Sequence, residues 1–190
     1  LTEFLENKLG LNHLRYKRGY KNVINKAIEL NRAGTDCQLA IETSGHAALQ
    51  ENYVLDDGAY LAAKIVIRGA RLKQEGKPIS SVLADLEDPA DEKEVRIPIR
   101  TEDFGAYGDQ VLSELKDWVR TQDGMTLTEP NYEGVRIDFG DGWCLLRKSL
   151  HDPILPMNMA SDQEGGCQAI EKVMKSFLNQ YEKLGLEGVL

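Results

Sequence analysis

Residues 133–147 read EGVRIDFGDGWCLLR. Polar and apolar side chains alternate from Glu133 to Phe139, which is the period of a strand with one buried face. Gly140-Asp141-Gly142 supplies the residue types that tight turns prefer, and an apolar run from Trp143 follows it. The segment therefore predicts a β-hairpin.

More strands and helices are predicted on both sides of this hairpin. Residues 94–99 alternate as a strand, in which Pro98 indicates an edge or a strand end, and residues 154–160 are a further apolar run. Apolar side chains recur at helical spacing over residues 107–121 and 163–183. This order predicts a compact α+β domain with an antiparallel sheet and helices on one face.

The first half of the chain has a different pattern, typical of an α/β unit. The apolar run at residues 37–41 lacks polar alternation and predicts a buried strand. It is followed by Glu42-Thr43-Ser44-Gly45-His46, and α/β sheets usually place ligand-binding loops at the ends of strands. Helices are predicted at residues 23–30 and after Asp56 or Asp57, either of which can cap a helix.

The two patterns meet at a charged segment. A short helix is predicted at residues 79–86, and residues 87–93, which contain Pro89, suit a domain boundary. A chain of 190 residues is long enough for two small domains. The sequence therefore predicts one domain over residues 1–85 and another over residues 86–190.

Composition argues against several classes of partner. The net charge is -8 and the pI is about 5.0, whereas a nucleic-acid phosphate backbone requires a basic face. Cys37, Cys144 and Cys167 are too widely spaced for a zinc knuckle or a disulfide framework, and they favour a reducing compartment, the cytoplasm. No apolar stretch has the length of a membrane span, so a membrane partner is not expected.

Two polar clusters could bind an anion. Residues 14–20, LRYKRGY, precede a helix, and they are either a solvated face or an anion site that uses the helix N-terminus. Residues 147–153, RKSLHDP, offer arginine, lysine, serine and histidine donors that could close around a phosphate monoester. The alternative for the second cluster is a polar connection with Asp152-Pro153 as its turn.

Three motifs, in order along almost the whole chain, resemble the α-D-phosphohexomutases, the phosphoglucomutase/phosphomannomutase family. Glu42-Thr43-Ser44-Gly45-His46, followed by Asp56-Asp57-Gly58, is similar to the sugar-recognition loop of that family. Lys17-Arg18-Gly19 is similar to the Lys-x-Gly element before it. The run from Gly142-Trp143 through Arg147-Lys148-Ser149 to Asp152-Pro153 is similar to the terminal phosphate loop.

The resemblance implies the last part of a four-domain enzyme. Residues 1–85 would be the C-terminal part of domain 3, and residues 86–190 would be domain 4, a four-stranded antiparallel sheet with two helices. The N-terminal domains of the same polypeptide would be missing, and the first residue, Leu1, is not Met. The Thr-x-Ser-His-Asn-Pro phosphoserine loop and the Asp-Gly-Asp-x-Asp-Arg Mg²⁺ loop do not occur in this sequence.

The family interconverts hexose 1-phosphate and hexose 6-phosphate. The phosphoserine gives its phosphoryl group to the sugar, the hexose 1,6-bisphosphate intermediate reorients, and the other phosphate returns to the serine. The intact protein would be an intramolecular phosphotransferase that uses Mg²⁺ and the bisphosphate. The chain alone, without the phosphoserine and with no metal ligands, is predicted to have no mutase activity.

The resemblance also implies roles for individual residues. Glu42 and Ser44 would hold sugar hydroxyls, and Gly45 would let the backbone approach the ligand. His46 would contact the substrate or assist proton transfer, and Lys17 would stabilise the transferring phosphoryl group. The phosphate that is not transferred would be held by Arg147, Lys148, Ser149 and His151.

This chain departs from the family pattern in the terminal loop. The usual form is Arg-x-Ser-Gly-Thr-Glu-Pro with a second arginine three residues on, where this chain has Pro156. His151 would be a substitute donor, while Leu150 would stiffen the turn. Thr43 replaces the usual glutamate or methionine, which leaves the preferred hexose open. Two alternatives are a non-catalytic sugar-phosphate-binding module and a pair of structural domains used for assembly.

Overall fold

The computed structural model describes residues 1–149 and 151–190. The chain divides into two compact units, which comprise residues 1–87 and 88–190. Among the described residues, no helix combines the length and the apolar character that a bilayer crossing requires. The two units have different architectures, and each is described by itself below.

Unit 1 contains a three-stranded antiparallel sheet in the order β1-β2-β3 and two long helices. The strands are β1 (Leu39–Ile41), β2 (Ala47–Leu49) and β3 (Leu55–Asp56). The helices are α1 (Tyr20–Arg32) and α2 (Gly58–Gln74). Single turns of π-helix at Phe4–Lys8 and of 3₁₀-helix at Gln50–Asn52 and Ile79–Leu83 complete the unit.

The strand predicted at residues 37–41 is shorter and more exposed than expected. It pairs with β2 as one arm of a hairpin, and α1 lies against it. Since successive side chains of a strand point to opposite faces, only Ala40 is buried, at 6% exposure. Leu39 and Ile41 are 45% and 54% exposed. The prediction of a strand buried on both faces is therefore wrong.

The predicted start of the second helix is confirmed. The Asp57 carboxylate accepts a hydrogen bond from the Tyr60 backbone N–H at 2.9 Å, which satisfies one of the free donors at the N-terminus of α2. The helix ends just before Gly76, whose φ of 73° is in the left-handed region that glycine adopts readily. The short helix predicted at residues 79–86 is a 3₁₀ turn that ends at Leu83.

Unit 2 contains a five-stranded antiparallel sheet in the order β4-β8-β7-β6-β5. The strands are β4 (Asp91–Pro98), β5 (Thr126–Leu127), β6 (Val135–Asp138), β7 (Gly142–Leu146) and β8 (Ile154–Ser161). The helices are α3 (Phe104–Val119) and α4 (Gly166–Leu178). The predicted α+β fold and its central hairpin, β6-β7, are confirmed. The sheet has a fifth strand because two residues, β5, pair with β6.

One face of this sheet is buried beneath α3 and α4. The fully buried side chains come from alternate positions of the strands and from the inner faces of the helices, as the two periodicities require. They include Ile97, Leu115, Ile137, Leu146, Leu155, Met157, Met174 and Leu178. This core fixes β7 beside β8, so the described residues of their connection, 147–149 and 151–153, lie at one end of the sheet.

Candidate functional site

The Glu42–His46 segment is a tight turn between β1 and β2. The Glu42 N–H donates to the His46 carbonyl at 2.9 Å, and the Gly45 N–H donates to the Glu42 carbonyl at 2.8 Å. Gly45 has a φ of 91°, a conformation that side-chain-bearing residues rarely adopt. The turn therefore needs glycine at this position for its own geometry, before any ligand is considered.

The Glu42 carboxylate is the main hydrogen-bond acceptor of this turn. It accepts from the Ser44 hydroxyl, from the Ser44 backbone N–H at 2.8 Å and from the Thr43 hydroxyl at 3.1 Å. The Ser44 hydroxyl and then the Ser44 amide hold the pKa of Glu42 below its usual value, and the Arg18 guanidinium lowers it further. Glu42 is therefore ionised at neutral pH, and two residues expected to bind sugar bind each other here.

His46 is held by Asp56 and Tyr20, which belong to the quoted motifs but to which the sequence assigned no individual role in a site. Its Nδ1 lies 2.7 Å from Oδ2 of Asp56, and its ring stacks on Tyr20 with centroids 4.8 Å apart. A carboxylate at Nδ1 fixes the orientation of an imidazole and the role of its other nitrogen. The sequence indicates this contact only through its two adjacent aspartates. Asp57 caps α2, so the carboxylate of Asp56 is available to bind His46.

The basic segment at residues 14–20 lies beside the turn. Tyr20, the first residue of α1, contacts His46, and the charge of Arg18 acts on Glu42. Gly19, with a φ of 103°, provides the bend ahead of the helix, and the Asn22 side-chain amide donates to the Arg18 carbonyl. The Lys17 ammonium lies 5.9 Å from the centre of the Tyr16 ring, so its described contact is aromatic.

In unit 2, the connection after β7 continues the sheet pairing beyond its last strand residue. The Arg147 N–H donates to the Pro156 carbonyl at 3.0 Å, and the Ser149 N–H donates to the Ile154 carbonyl at 3.2 Å. The Arg147 side chain is 15% exposed, with Nε 3.8 Å from Oε1 of Glu133. Leu150, expected to stiffen this turn, lies outside the described residues.

Ser149 and Lys148, which were expected to bind a phosphate, have hydrogen-bond partners within unit 2. The Ser149 hydroxyl oxygen accepts from the N–H groups of His151, at 3.4 Å, and Asp152, at 3.2 Å, so it closes the turn. His151 is exposed. Lys148 instead has its ammonium 2.6 Å from both carboxylate oxygens of Asp109 on α3.

Each unit thus holds one polar cluster. In unit 1, the turn at residues 42–46 brings an ionised carboxylate, a hydroxyl and a fixed imidazole together next to a basic segment. In unit 2, residues 147–152 combine arginine, serine and histidine. A group of three or more His, Cys, Asp or Glu side chains that could hold a metal ion is absent from the part of the chain that the structure describes.

Comparison with known proteins gives consistent matches. The family described as "Phosphoglucomutase/phosphomannomutase, alpha/beta/alpha domain III" matches residues 2–89. A phosphomannomutase/phosphoglucomutase of Pseudomonas putida is 27% identical over 183 residues, which are 96% of this chain and 36% of the relative. A protein of the same name from Pseudomonas aeruginosa is 29% identical over 147 residues, which are 77% of this chain and 29% of the relative.

A solved structure has the same fold. The crystal structure of a phosphoglucomutase/phosphomannomutase family protein from Burkholderia thailandensis superimposes with a TM-score of 0.71 at 21% sequence identity, over 97% of this chain and 35% of that one. The chain thus spans about a third of the length of the relatives that it matches. The family match identifies residues 2–89 with domain III of the phosphoglucomutase/phosphomannomutase family, and together with these relatives it supports a C-terminal portion of that family for the chain.

Proposed function

We propose that this chain supplies the sugar-binding and phosphate-binding loops of an enzyme that interconverts hexose 1-phosphate and hexose 6-phosphate. The observation that carries the proposal is the turn at residues 42–46, with its ionised Glu42 and its fixed His46, inside the region that the family matches. The reaction would be an intramolecular phosphoryl transfer through a phosphoserine and a hexose 1,6-bisphosphate. Its compartment would be the cytoplasm.

In this proposal the two units are parts of two domains. Residues 1–85 are assigned to the C-terminal part of domain 3, and residues 86–190 are assigned to domain 4. The division of the structure after residue 87 supports a boundary in this region, and so does the family match, which ends at residue 89. The remaining domains would belong to the same polypeptide.

The turn in unit 1 has the chemistry to bind a sugar. An ionised carboxylate can accept hydrogen bonds from two vicinal hydroxyls, so Glu42 can exchange its bonds from Thr43 and Ser44 for bonds from a ligand. Ser44, released from Glu42, can then donate or accept. His46 is assigned to substrate contact or proton transfer, with Asp56 at its Nδ1, and Lys17 is assigned to the transferring phosphoryl group.

The connection in unit 2 has the chemistry to hold the other phosphate. Arg147 provides a planar fork of donors that matches phosphate oxygens. The oxygen of Ser149 already accepts from two backbone amides, which leaves its O–H proton to donate to a phosphate oxygen. The exposed His151 adds a donor, and Lys148 could join them only by leaving Asp109.

A family member of this kind would use Mg²⁺ and a phosphoserine. The described residues do not fit a Mg²⁺ ion, because no group of carboxylates is gathered to hold one. We therefore assign the metal and the phosphoserine to the rest of the intact protein. The 190-residue chain alone is expected to have no mutase activity.

The proposal is tested by titrating the 190-residue chain with glucose 1-phosphate and following its backbone amide signals. Shifts confined to residues 42–46 and 147–153 are expected, at millimolar ligand, because only part of the binding site is present. Arg147→Ala should abolish the shifts in residues 147–153. Arg120→Ala is the matched control, since Arg120 pairs with the exposed Asp117 on the surface. No shift at any ligand concentration would contradict ligand binding by this chain.

In the intact enzyme, Arg147→Ala should raise KM strongly and lower turnover. The distal phosphate both binds and orients the sugar, so its loss affects both constants. Unchanged kinetics would show that residues 147–153 are not the phosphate clamp. An intact protein that binds the ligand but does not convert it would favour the non-catalytic binding module.

A further inference from the structure

Lys148 joins the connection between β7 and β8 to helix α3. Its ammonium lies 2.6 Å from each carboxylate oxygen of Asp109 and 3.2 Å from the carbonyl oxygen of Gly105. An ammonium group has three N–H donors, and one turn of the helix offers it three acceptor atoms. The Lys148 side chain is 28% exposed and that of Asp109 is 65% exposed, so water reaches the pair mainly on the aspartate side.

A glycine on helix α3 leaves room for the side chain of Lys148. Gly108 is buried in the second turn of the helix, and a Cβ atom placed on it would lie 3.1 Å from Cδ and 3.4 Å from Cγ of Lys148. Glycine inside a helix costs about 1 kcal/mol relative to alanine, so its presence needs a packing reason. The aliphatic stem of Lys148 provides that reason, because it occupies the space that a side chain would fill.

The strand alternation separates Lys148 from its neighbours. Leu146 points into the core beneath the helices, and the backbone pairing with residues 154–156 continues through Arg147 and Ser149. Lys148 therefore points to the same face as Leu146, towards α3, whereas Arg147 and Ser149 point to the opposite face. A lysine held on the helix side is poorly placed to bind a ligand that those two residues hold.

We propose that Asp109 is a positioning residue, which binds Lys148 and so holds its neighbours Arg147 and Ser149 where they can bind a phosphate. Lys148 then acts as an anchor and not as a phosphate ligand. The part of this inference that concerns phosphate binding rests on the proposed function. The part that concerns anchoring by the Lys148–Asp109 pair does not. The anchor should hold the loop in place whether or not a phosphate binds.

A double-mutant cycle separates an anchor from a ligand. Lys148→Met keeps the stem and removes the charge, Asp109→Asn removes the partner charge, and the third protein carries both changes. Each is measured twice in the 190-residue chain: without ligand, by hydrogen exchange of the Arg147 and Ser149 amides, and with glucose 1-phosphate, by amide-shift titration. Asp117→Asn is the matched control on the same helix, and Asp109→Glu tests rescue by a retained carboxylate.

For an anchor, both single variants should speed exchange of the two amides and weaken ligand binding by similar factors, about two- to fivefold for a partly exposed pair. The double variant should be no worse than either single variant, and Asp109→Glu should stay close to wild type. A phosphate ligand would behave differently, since Asp109→Asn would free Lys148 and tighten binding. That result, or unchanged amide exchange in Asp109→Asn, would overturn the inference.

The two hypotheses can fail separately. If the wild-type chain does not bind glucose 1-phosphate, the proposed binding function fails for this chain. The hydrogen-exchange measurements then still decide whether the Lys148–Asp109 pair holds the loop. If the wild-type chain binds the ligand and Asp109→Asn changes nothing, the proposed function stands and the anchor is wrong.

Discussion

The phenol ring of Tyr20 stacks on the imidazole ring of His46, with ring centroids 4.8 Å apart and ring planes inclined by 24°. Tyr20 begins α1, and His46 ends the turn between β1 and β2. The contact joins the basic segment at residues 14–20 to the polar turn at residues 42–46. The Tyr20 ring contacts one face of the imidazole and Asp56 contacts its Nδ1, so the two residues together fix the orientation of the ring.

This contact can be tested by changing the ring that His46 stacks on. Tyr20→Ala should move the ring proton resonances of His46 downfield, because a stacked aromatic ring shields protons above its face. Tyr20→Phe keeps the ring and is the matched control, so its His46 resonances should stay close to those of wild type. Two-dimensional ¹H–¹³C spectra of the aromatic region provide the measurement. Unchanged resonances in Tyr20→Ala would contradict the stacking.

The ionisation of Glu42 should depend on Ser44. The Ser44 hydroxyl is the largest of the influences that lower the pKa of Glu42. Ser44→Ala should therefore raise that pKa towards its usual value of 4.5, while Thr43→Val, which removes a weaker bond, should raise it less. An NMR titration of the Glu42 carboxyl carbon measures both changes.

The same shift determines how the turn responds to pH. Because the folded-state pKa is depressed, the hydrogen bonds to Glu42 stabilise the turn above pH 4.5 and are lost as the pH falls through the folded-state value. Since Glu42 is only partly buried, we expect the loss to loosen the turn without unfolding unit 1. A turn whose amide shifts stay constant through the titration of Glu42 would contradict this prediction.

In unit 2, a hydrogen bond links α3 to the segment after α4. The Tyr181 hydroxyl donates to Oε2 of Glu114 at 2.6 Å, and Tyr181 is only 7% exposed. Tyr181→Phe should therefore lower the free energy of unfolding by about 1 kcal/mol. Trp118 and Trp143, the two tryptophans of the chain, both lie in unit 2, so urea unfolding followed by their fluorescence reports on it.

The pH dependence of this bond has a defined sign. The Tyr181 hydroxyl lowers the pKa of Glu114, while burial raises the pKa of Tyr181. The stabilisation is thus present above the usual carboxyl pKa of 4.5 and falls as Glu114 becomes protonated at lower pH. Glu114→Gln combined with Tyr181→Phe should cost less than the sum of the single changes, and additive costs would contradict the bond.

The core of unit 2 should be sensitive to lost volume. Leu115 lies on the inner face of α3 and is fully buried, so Leu115→Ala should cost about 3 kcal/mol, through lost burial and a residual cavity. Leu83→Ala is the control, because Leu83 is 53% exposed and lies in unit 1. It should leave the tryptophan-detected transition unchanged. A cost below about 1 kcal/mol for Leu115→Ala would contradict the buried position.

Much of this protein is determined by local sequence patterns. The alternation and turn of residues 133–147 specify the β6-β7 hairpin, and apolar spacing specifies the helices, because the periods of strand and helix are backbone properties. The carboxylate of Asp57 specifies the start of α2, since its acceptor lies three residues before the N–H that it binds. The family motifs are similarly local, so the polar turn at residues 42–46 is visible in the sequence.

Contacts between distant residues were decided only by the tertiary structure. β1 was predicted to be buried, but an apolar run does not say which of its faces another element covers. β5 has two residues, too few to show a period, and it exists because β6 pairs with it. The partners of His46 and Lys148, Tyr20 and Asp109, are distant in sequence and carry no local pattern. Within unit 1 the position of α1 brings Tyr20 to His46, and within unit 2 the position of α3 brings Asp109 to Lys148. These contacts give each polar cluster its chemistry.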